Sequence, residues 1–368
     1  MPIYSGTNGN DNIIGSIFTD SIFGFGGNDT LNPGSGVNDY IDGGTGIDLL
    51  VADYSNVSSP YSFSFNNIEK ISFKGSNGVD NFTFNNTTDT LYGNGGNDIL
   101  DAGAFDDYLN GGSGSDSLYG GDGNDTLNPG SGVNDYIDGG TGIDLLVVDY
   151  SNVSDPYSFS FNNIEKVSFN GSNGVDNFTF NNTTDTLYGN GGNDILDAGA
   201  FDDYLNGGSG NDYLYGGYGK DTIYGGSDND FLFGQQDNDI LDGNSGNDFL
   251  NGGEGNDSLY GSDGNDILNG RKDNDYLVGG SGADKFVFDS LSDGIDYIAD
   301  FKYFEGDKIQ ISKVGFGASS TSQFSYNNST GALSFDKSPF DAIASVQFAS
   351  LQTNLGSGFL PSFDIVLV

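Results

Sequence analysis

Through the C-terminal part of the chain an apolar residue returns at every ninth position: Leu196, Leu205, Leu214, Ile223, Leu232, Leu241, Leu250, Leu259, Leu268, Leu277 and Phe286. The intervening residues are polar and rich in glycine. Gly207-Gly208-Ser209-Gly210-Asn211-Asp212-Tyr213-Leu214-Tyr215 is typical, and it reads as a six-residue turn followed by a three-residue strand. The middle residue of such a strand points opposite to its two neighbours, so the recurring Leu or Ile faces inward. One unit is too short to enclose a core. Two units make one coil of a flattened helix with a strand on each side, and like sides then stack 18 residues apart. The pattern predicts an all-β parallel solenoid.

An aspartate precedes each of these apolar positions by two residues, and the same beat runs through three blocks. The first, residues 1–51, holds Asp11, Asp20, Asp29, Asp39 and Asp48. The second, 89–147, holds Asp98, Asp107, Asp116, Asp125, Asp135 and Asp144. The third, 185–284, holds Asp194, Asp203, Asp212, Asp221, Asp230, Asp239, Asp248, Asp257, Asp266, Asp275 and Asp284. Asp89 and Asp185 head the second and third blocks, but their turns lack glycine.

Two interludes, 52–88 and 148–184, lose the beat and carry short alternating runs: Ser62–Phe65, Ile71–Phe73 and Asn81–Phe84 in the first. They read as wider, metal-free rungs of the same stack; the competing reading is a protruding β-hairpin. Residues 28–114 recur as 124–210 with four substitutions (Ala52/Val148, Ser59/Asp155, Ile71/Val167, Lys74/Asn170), a tandem copy that a solenoid tolerates because each rung touches only its neighbours. Residues 285–368 change character. Lysine becomes more frequent, and strands are expected over Lys285–Phe288, Lys308–Ser312, Gln323–Tyr326, Ala332–Phe335, Ser345–Phe348 and Phe363–Val368. This region reads as a terminal cap over an otherwise open sheet edge.

Charge now changes the picture. The chain carries 53 acids against 11 bases, a formal net charge of −42. All but four acids (Glu69, Glu165, Glu254, Glu305) are aspartate, the choice expected of carboxylates held close to tight turns. Such a charge opposes compaction and argues against nucleic acid or an anionic membrane as a partner. With 29 Phe and 21 Tyr, the chain is also too aromatic for a solvated polymer. Histidine and cysteine are absent, which removes disulfides, imidazole catalysis and nitrogen or sulfur metal sites. No run of apolar residues is long enough for a membrane-spanning helix.

Between stacked turns, aspartate carboxylates and glycine carbonyls would converge into an all-oxygen cage. Calcium, with six to eight hard oxygen ligands, fits such a cage better than magnesium or a transition metal. The competing reading is a metal-free stack of Asx turns, which leaves the charge uncompensated. The 22 aspartates of the three blocks are the candidate metal ligands, serving roughly a dozen or more calcium ions. Where Asp228, Asp237 and Asp273 replace the fourth-position glycine, site geometry is open to question.

The nonapeptide Gly-Gly-x-Gly-x-Asp-x-apolar-x resembles the repeat of RTX proteins, the hemolysin-type calcium-binding family. The resemblance covers the paced blocks. It implies a right-handed parallel β-roll with calcium between turns, the type I secretion machinery as a partner, and a bacterial protein that is secreted or held at the cell surface. The ending Phe363-Asp364-Ile365-Val366-Leu367-Val368 is similar to the uncleaved C-terminal signal of type I substrates, and no Sec-type leader is expected at the start. The repeat begins at Gly6, which is expected to leave no room for a preceding enzyme domain. No nucleophile, zinc or phosphate-loop motif points to catalysis. Polysaccharide binding or self-association stays open through Tyr213, Tyr215, Phe231, Phe233 and Phe249, which face outward on one side of the third block.

Overall fold

The computed structural model describes residues 1–57, 62–153, 157–337, 344–353, 355 and 361–368. Ser59 and Asp155, one of the four differences between the duplicated segments, lie outside the described residues. The chain forms two compact units, Met1–Ser168 and Phe169–Val368, and each is a parallel β-solenoid.

In the C-terminal unit one side stacks Asn177–Thr179, Ile195–Ala200, Tyr213–Tyr218, Phe231–Gln236, Phe249–Glu254 and Ile267–Lys272, all parallel. The other side stacks Thr184–Gly191, Tyr204–Ser209, Thr222–Ser227, Ile240–Ser245, Ser258–Asp263 and Tyr276–Ser281. Register is 18 residues throughout: Tyr213 pairs with Phe231 and Leu214 with Leu232. The strands run to six residues rather than the expected three, because pairing continues into the turn; Gly208, for example, pairs with Gly226. The central Leu or Ile of every unit is fully buried, so the core is a column of aliphatic side chains between two sheets.

In the N-terminal unit the interlude continues the stack. Ser62–Asn66 pairs in parallel with Val37–Asp42, and Lys70–Lys74 lies between Leu49–Asp53 and Thr88–Tyr92. Asn81–Thr83 pairs with Ile99–Ala104. The described residues of the interlude are therefore rungs of the stack and not a protruding hairpin. The core here is aromatic: Tyr54, Phe73 and Phe84 are buried, with ring centroids of Phe73 and Phe82 4.2 Å apart.

The expected cap strands form, with small shifts of boundary, at Lys285–Phe288, Lys308–Ile311, Phe324–Tyr326, Ala332–Phe335, Val346–Leu351 and Ile365–Leu367. A further strand, Asp296–Ile298, was not apparent in the sequence. Ala332–Phe335 pairs antiparallel with Val346–Leu351, ending the parallel run, over a cluster of Phe288, Phe316, Phe324, Phe335 and Phe348. The C-terminal run is a paired strand as well, with Ile365 opposite Ile309. Among the described residues, no helix is long and apolar enough to cross a membrane.

Candidate metal centre

Asp230 shows how a rung is built. Its Oδ1 accepts the Asp212 N–H at 2.9 Å, and its own N–H donates to Asp248 Oδ1 at 2.8 Å. Its carbonyl accepts the Phe249 N–H at 2.9 Å. Its Oδ2 is buried without a hydrogen-bond partner. That free oxygen faces the first glycine of its own turn: a Cβ on Gly225 would lie 2.5 Å from Asp230 Oδ2 and 2.9 Å from the Gly243 carbonyl. The missing side chain leaves a space on which a carboxylate oxygen and a carbonyl of the following turn converge. Gly226, next in the chain, has φ 117°, a conformation that glycine adopts without strain.

The same arrangement repeats along both edges. Bonds from one aspartate N–H to the next carboxylate join Asp11, Asp29 and Asp48; Asp20 and Asp39; Asp98, Asp116 and Asp135; and Asp107, Asp125 and Asp144. In the C-terminal unit they join Asp194, Asp212, Asp230, Asp248, Asp266 and Asp284 on one edge, and Asp203, Asp221, Asp239, Asp257 and Asp275 on the other. All 22 aspartates singled out from the sequence stand in these ladders. All except Asp11 and Asp20 have a buried Oδ2 with no partner. Those two lie in turns with Thr7 and Ser16 in place of the second glycine, and their Oδ2 accepts the N–H of that residue instead.

Burial without compensation shows in the acidity. Loss of hydration, followed by repulsion from neighbouring aspartates, pushes Asp107, Asp203, Asp230 and Asp239 up to about 8. Asp98, Asp194 and Asp266 rise to about 7 for the same reasons. A dication between turns would meet both demands at once, supplying a partner for each free oxygen and cancelling the repulsion. Among the described residues no three acidic side chains gather. The donor set is therefore one or two carboxylates with turn carbonyls, which is the chemistry calcium accepts. The residues present fit the ion.

Asp228, Asp237 and Asp273 adopt the positive φ of the glycine they replace (78°, 74° and 77°), so the turn survives these substitutions. Each adds a charge beside a ladder aspartate: Asp212, Asp221 and Asp257 respectively.

The ladder also contains acids that spacing did not single out. The Asp80 and Asp176 backbone N–H groups donate to Asp98 and Asp194 Oδ1 at 2.8 Å, and their turns, Gly75–Asp80 and Gly171–Asp176, have the repeat form with serine at the second position. The reading of 52–88 and 148–184 as wholly outside the repeat is corrected: the repeat geometry resumes at Gly75 and Gly171. Glu69 and Glu165 accept the N–H of Asp48 and Asp144 through Oε2, the longer side chain reaching across a 21-residue register. Asp296 and Asp307 extend the ladder past Asp284, the last aspartate of the nine-residue beat, with bonds from Asp275 and Asp284 at 3.1 Å. The last turn is met by a lysine. Lys302 Nζ donates to the Gly280 carbonyl and lies 3.6 Å from both Asp300 and Glu305.

The outward aromatic group is a ladder of rings stacked on one another. Tyr213 and Phe231 have centroids 4.6 Å apart at 3°, and Tyr215 and Phe233 4.9 Å apart at 7°. In these two pairs a ring face is spent on a neighbouring ring, while Phe249 is tilted against Phe231 and Phe233.

No curated protein matches the chain. Among solved structures, the extracellular lipase LipA from Serratia marcescens aligns over 90% of this chain and 45% of its own, at 13% identity and a TM-score of 0.19. The chain thus spans less than half the length of that lipase, and a likeness this low carries no inference. The family model for the RTX calcium-binding nonapeptide repeat matches residues 5–38, 75–109, 101–134, 170–205, 181–214, 197–232, 215–250, 224–259, 251–286 and 260–295. These matches cover more than half of the chain, and they resume at the two turns where the structure resumes the ladder. The chain belongs to the RTX calcium-binding repeat family.

Proposed function

We propose that this calcium-binding β-roll protein folds when it meets calcium outside the bacterial cell, and that the folded solenoid serves a structural role at the cell surface or in the extracellular matrix. The observation that carries this reading is the run of buried Oδ2 oxygens without partners on 20 of the 22 paced aspartates. A net charge of −42 cannot be packed this way without cations, and roughly a dozen or more calcium ions would remove most of it. Metal-binding free energy then becomes folding free energy. The chain would remain expanded in a low-calcium cytosol, where an unfolded substrate suits type I export, and it would fold in the millimolar calcium outside.

Catalysis forms no part of this reading. The chain has neither His nor Cys, and the buried acids lie between turns rather than around a cleft. A carbohydrate-stacking role for the Tyr213–Phe249 group is disfavoured by the use of its ring faces within the ladder. The test is circular dichroism of the full chain during a calcium titration after exhaustive chelation. A calcium-dependent rise in β-signal is expected; full β-structure in excess chelator would end the proposal.

A further inference from the structure

Two turns that lack the repeat's glycine bury more side-chain oxygens than an ordinary turn does. In an ordinary turn one carboxylate oxygen is left without a partner. In the turn that ends at Asp89, both Asp89 oxygens and the Thr87 hydroxyl are buried, the hydroxyl beside the carboxylate and neither group reaching a partner beyond the other; Oδ2 of Asp107, in the next turn of that edge, is buried without a partner. The duplicate repeats the set with Asp185, Thr183 and Asp203. Thr87 and Asp89 are each 1% exposed and Asp107 4%; Thr183, Asp185 and Asp203 are 1%, 2% and 4% exposed.

The cause is local. Asp89 lies in parallel register with Ile71, a core residue of the preceding strand, where an ordinary ladder aspartate would have another aspartate. The N–H that normally caps Oδ1 from that side is not offered. The downward bond is kept, since the Asp89 N–H donates to Asp107 Oδ1 at 2.6 Å and the Asp185 N–H to Asp203 Oδ1 at 2.7 Å. The first-glycine position is filled too, by Phe84 ahead of Asp89 and by Ala102 ahead of Asp107, both buried. The space on which a carboxylate and a turn carbonyl converge elsewhere is closed here. Four side-chain oxygens, from two carboxylates and a hydroxyl, are buried on these two adjacent turns instead.

Resting on the reading that the array binds calcium, we propose that Asp89, Thr87 and Asp107, and in the duplicate Asp185, Thr183 and Asp203, form two further calcium sites of a different build, made from side-chain oxygens in place of glycine-turn carbonyls. Asp89 and Asp185 each offer two oxygens, a bidentate geometry that calcium accepts and magnesium does not favour. Asp107 and Asp203 supply the second negative charge. The threonine hydroxyl adds a neutral oxygen, and carbonyls or water complete the shell.

The test is native mass spectrometry of the full chain over a titration with calcium chloride, which counts bound ions as integers. D89N/D185N preserves shape while removing one charge and one oxygen ligand per site. It should saturate two ions short of the unsubstituted chain. An equal, non-zero count in both proteins overturns the proposal and leaves the calcium reading of the array standing; a zero count in both overturns that reading as well. An equal count with raised thermal stability would show that Asp89 and Asp185 are held as neutral acids, which also overturns it. If D89N/D185N does not fold, T87V/T183V decides. The last two ions should then need a higher calcium concentration, and an unshifted titration overturns the proposal.

Discussion

The array around Asp230 and the interlude around Phe73 share a parallel register and lie in the same kind of stack, yet they close their cores by different means. The array fills its interior with one Leu or Ile per turn and places its aspartates where no protein donor reaches one oxygen of each. The interlude fills its interior with rings: Phe73 lies 4.2 Å from Phe82, 5.9 Å from Phe84 and 6.3 Å from Tyr54, centroid to centroid. Its one ladder acid between Asp48 and Asp89 on that edge, Glu69, is exposed. A solenoid can thus be held by side chains that bury themselves or by side chains that need an ion. A chain using both has segments of different calcium demand.

The largest effect should come from removing the ion. Hydrogen exchange of the calcium-loaded chain, compared with the same chain in excess chelator, should show the ladder amides of Asp194, Asp212, Asp230 and Asp248 losing protection by about a thousandfold or more. Amides of Lys70–Lys74, buttressed by rings, should lose less. Equal loss throughout would mean that the interlude has no stability of its own and would erase the contrast.

Core truncation probes the other side. Phe73→Ala empties the centre of the aromatic cluster and should cost about 3–5 kcal/mol by denaturant unfolding in saturating calcium. Leu232→Ala removes one member of an aliphatic column and should cost about 2–5 kcal/mol, toward the lower end if the neighbouring leucines close in. The sharper readout is the calcium dependence. Phe73→Ala should weaken folding without changing the number of ions bound, because no oxygen ligand is touched.

In the array, acidity separates the metal-free chain from the calcium-loaded one by sign. Folded-state values near 8 for Asp203, Asp230 and Asp239 lie above the ordinary carboxylate value of 3.8. In the metal-free chain the folded form therefore binds more protons than the unfolded form over this window. The stability these groups contribute is complete below about pH 4 and is lost as pH rises through about 8. Chelated protein should gain β-signal on acidification from pH 8 toward pH 4. In the presence of calcium the direction reverses, because protons compete for the ligands, and the calcium midpoint should rise as pH falls. A chelated chain whose circular dichroism does not change over that window would contradict the burial of these carboxylates.

Much of this was legible before the structure, for a physical reason. When each rung repeats the last, one period fixes the strand register, the inward Leu232 and the ladder position of Asp230 together. What escaped notice escaped because the period bends. Asp80 and Asp176 sit in turns where serine replaces the second glycine, although Gly75-x-x-Gly78-x-Asp80, nine residues before Asp89, was a usable signal. Glu69, Asp296 and Asp307 meet their partners at 21, 21 and 23 residues, because intervening loops absorb the excess. No spacing rule reveals that. The ring-on-ring use of Tyr213 and Phe231 was likewise invisible, since outward facing says nothing about which part of a ring is free.

The smallest predicted effect is the most local. Gly225→Ala places a methyl group 2.5 Å from Asp230 Oδ2 and 2.9 Å from the Gly243 carbonyl, in the space where the array converges its ligands. Gly225 does not have the positive φ of Gly226, so the methyl acts by occupancy and not by backbone strain. The chain already contains the precedent at Ala102 and Ala198, where a methyl stands at the first-glycine position and the strands on either side remain paired. Gly225→Ala should therefore fold in calcium, lose one ion from the native mass count, and lose roughly 1–3 kcal/mol of calcium-saturated stability. An unchanged ion count would place the ion away from the first-glycine space. The same methyl introduced at the fourth position of the turn that leads to Asp80, as Gly78→Ala, meets only the Ser76 hydroxyl at 3.5 Å and should leave both count and stability nearly unchanged. A site defined by the space a glycine leaves must distinguish those two methyl groups.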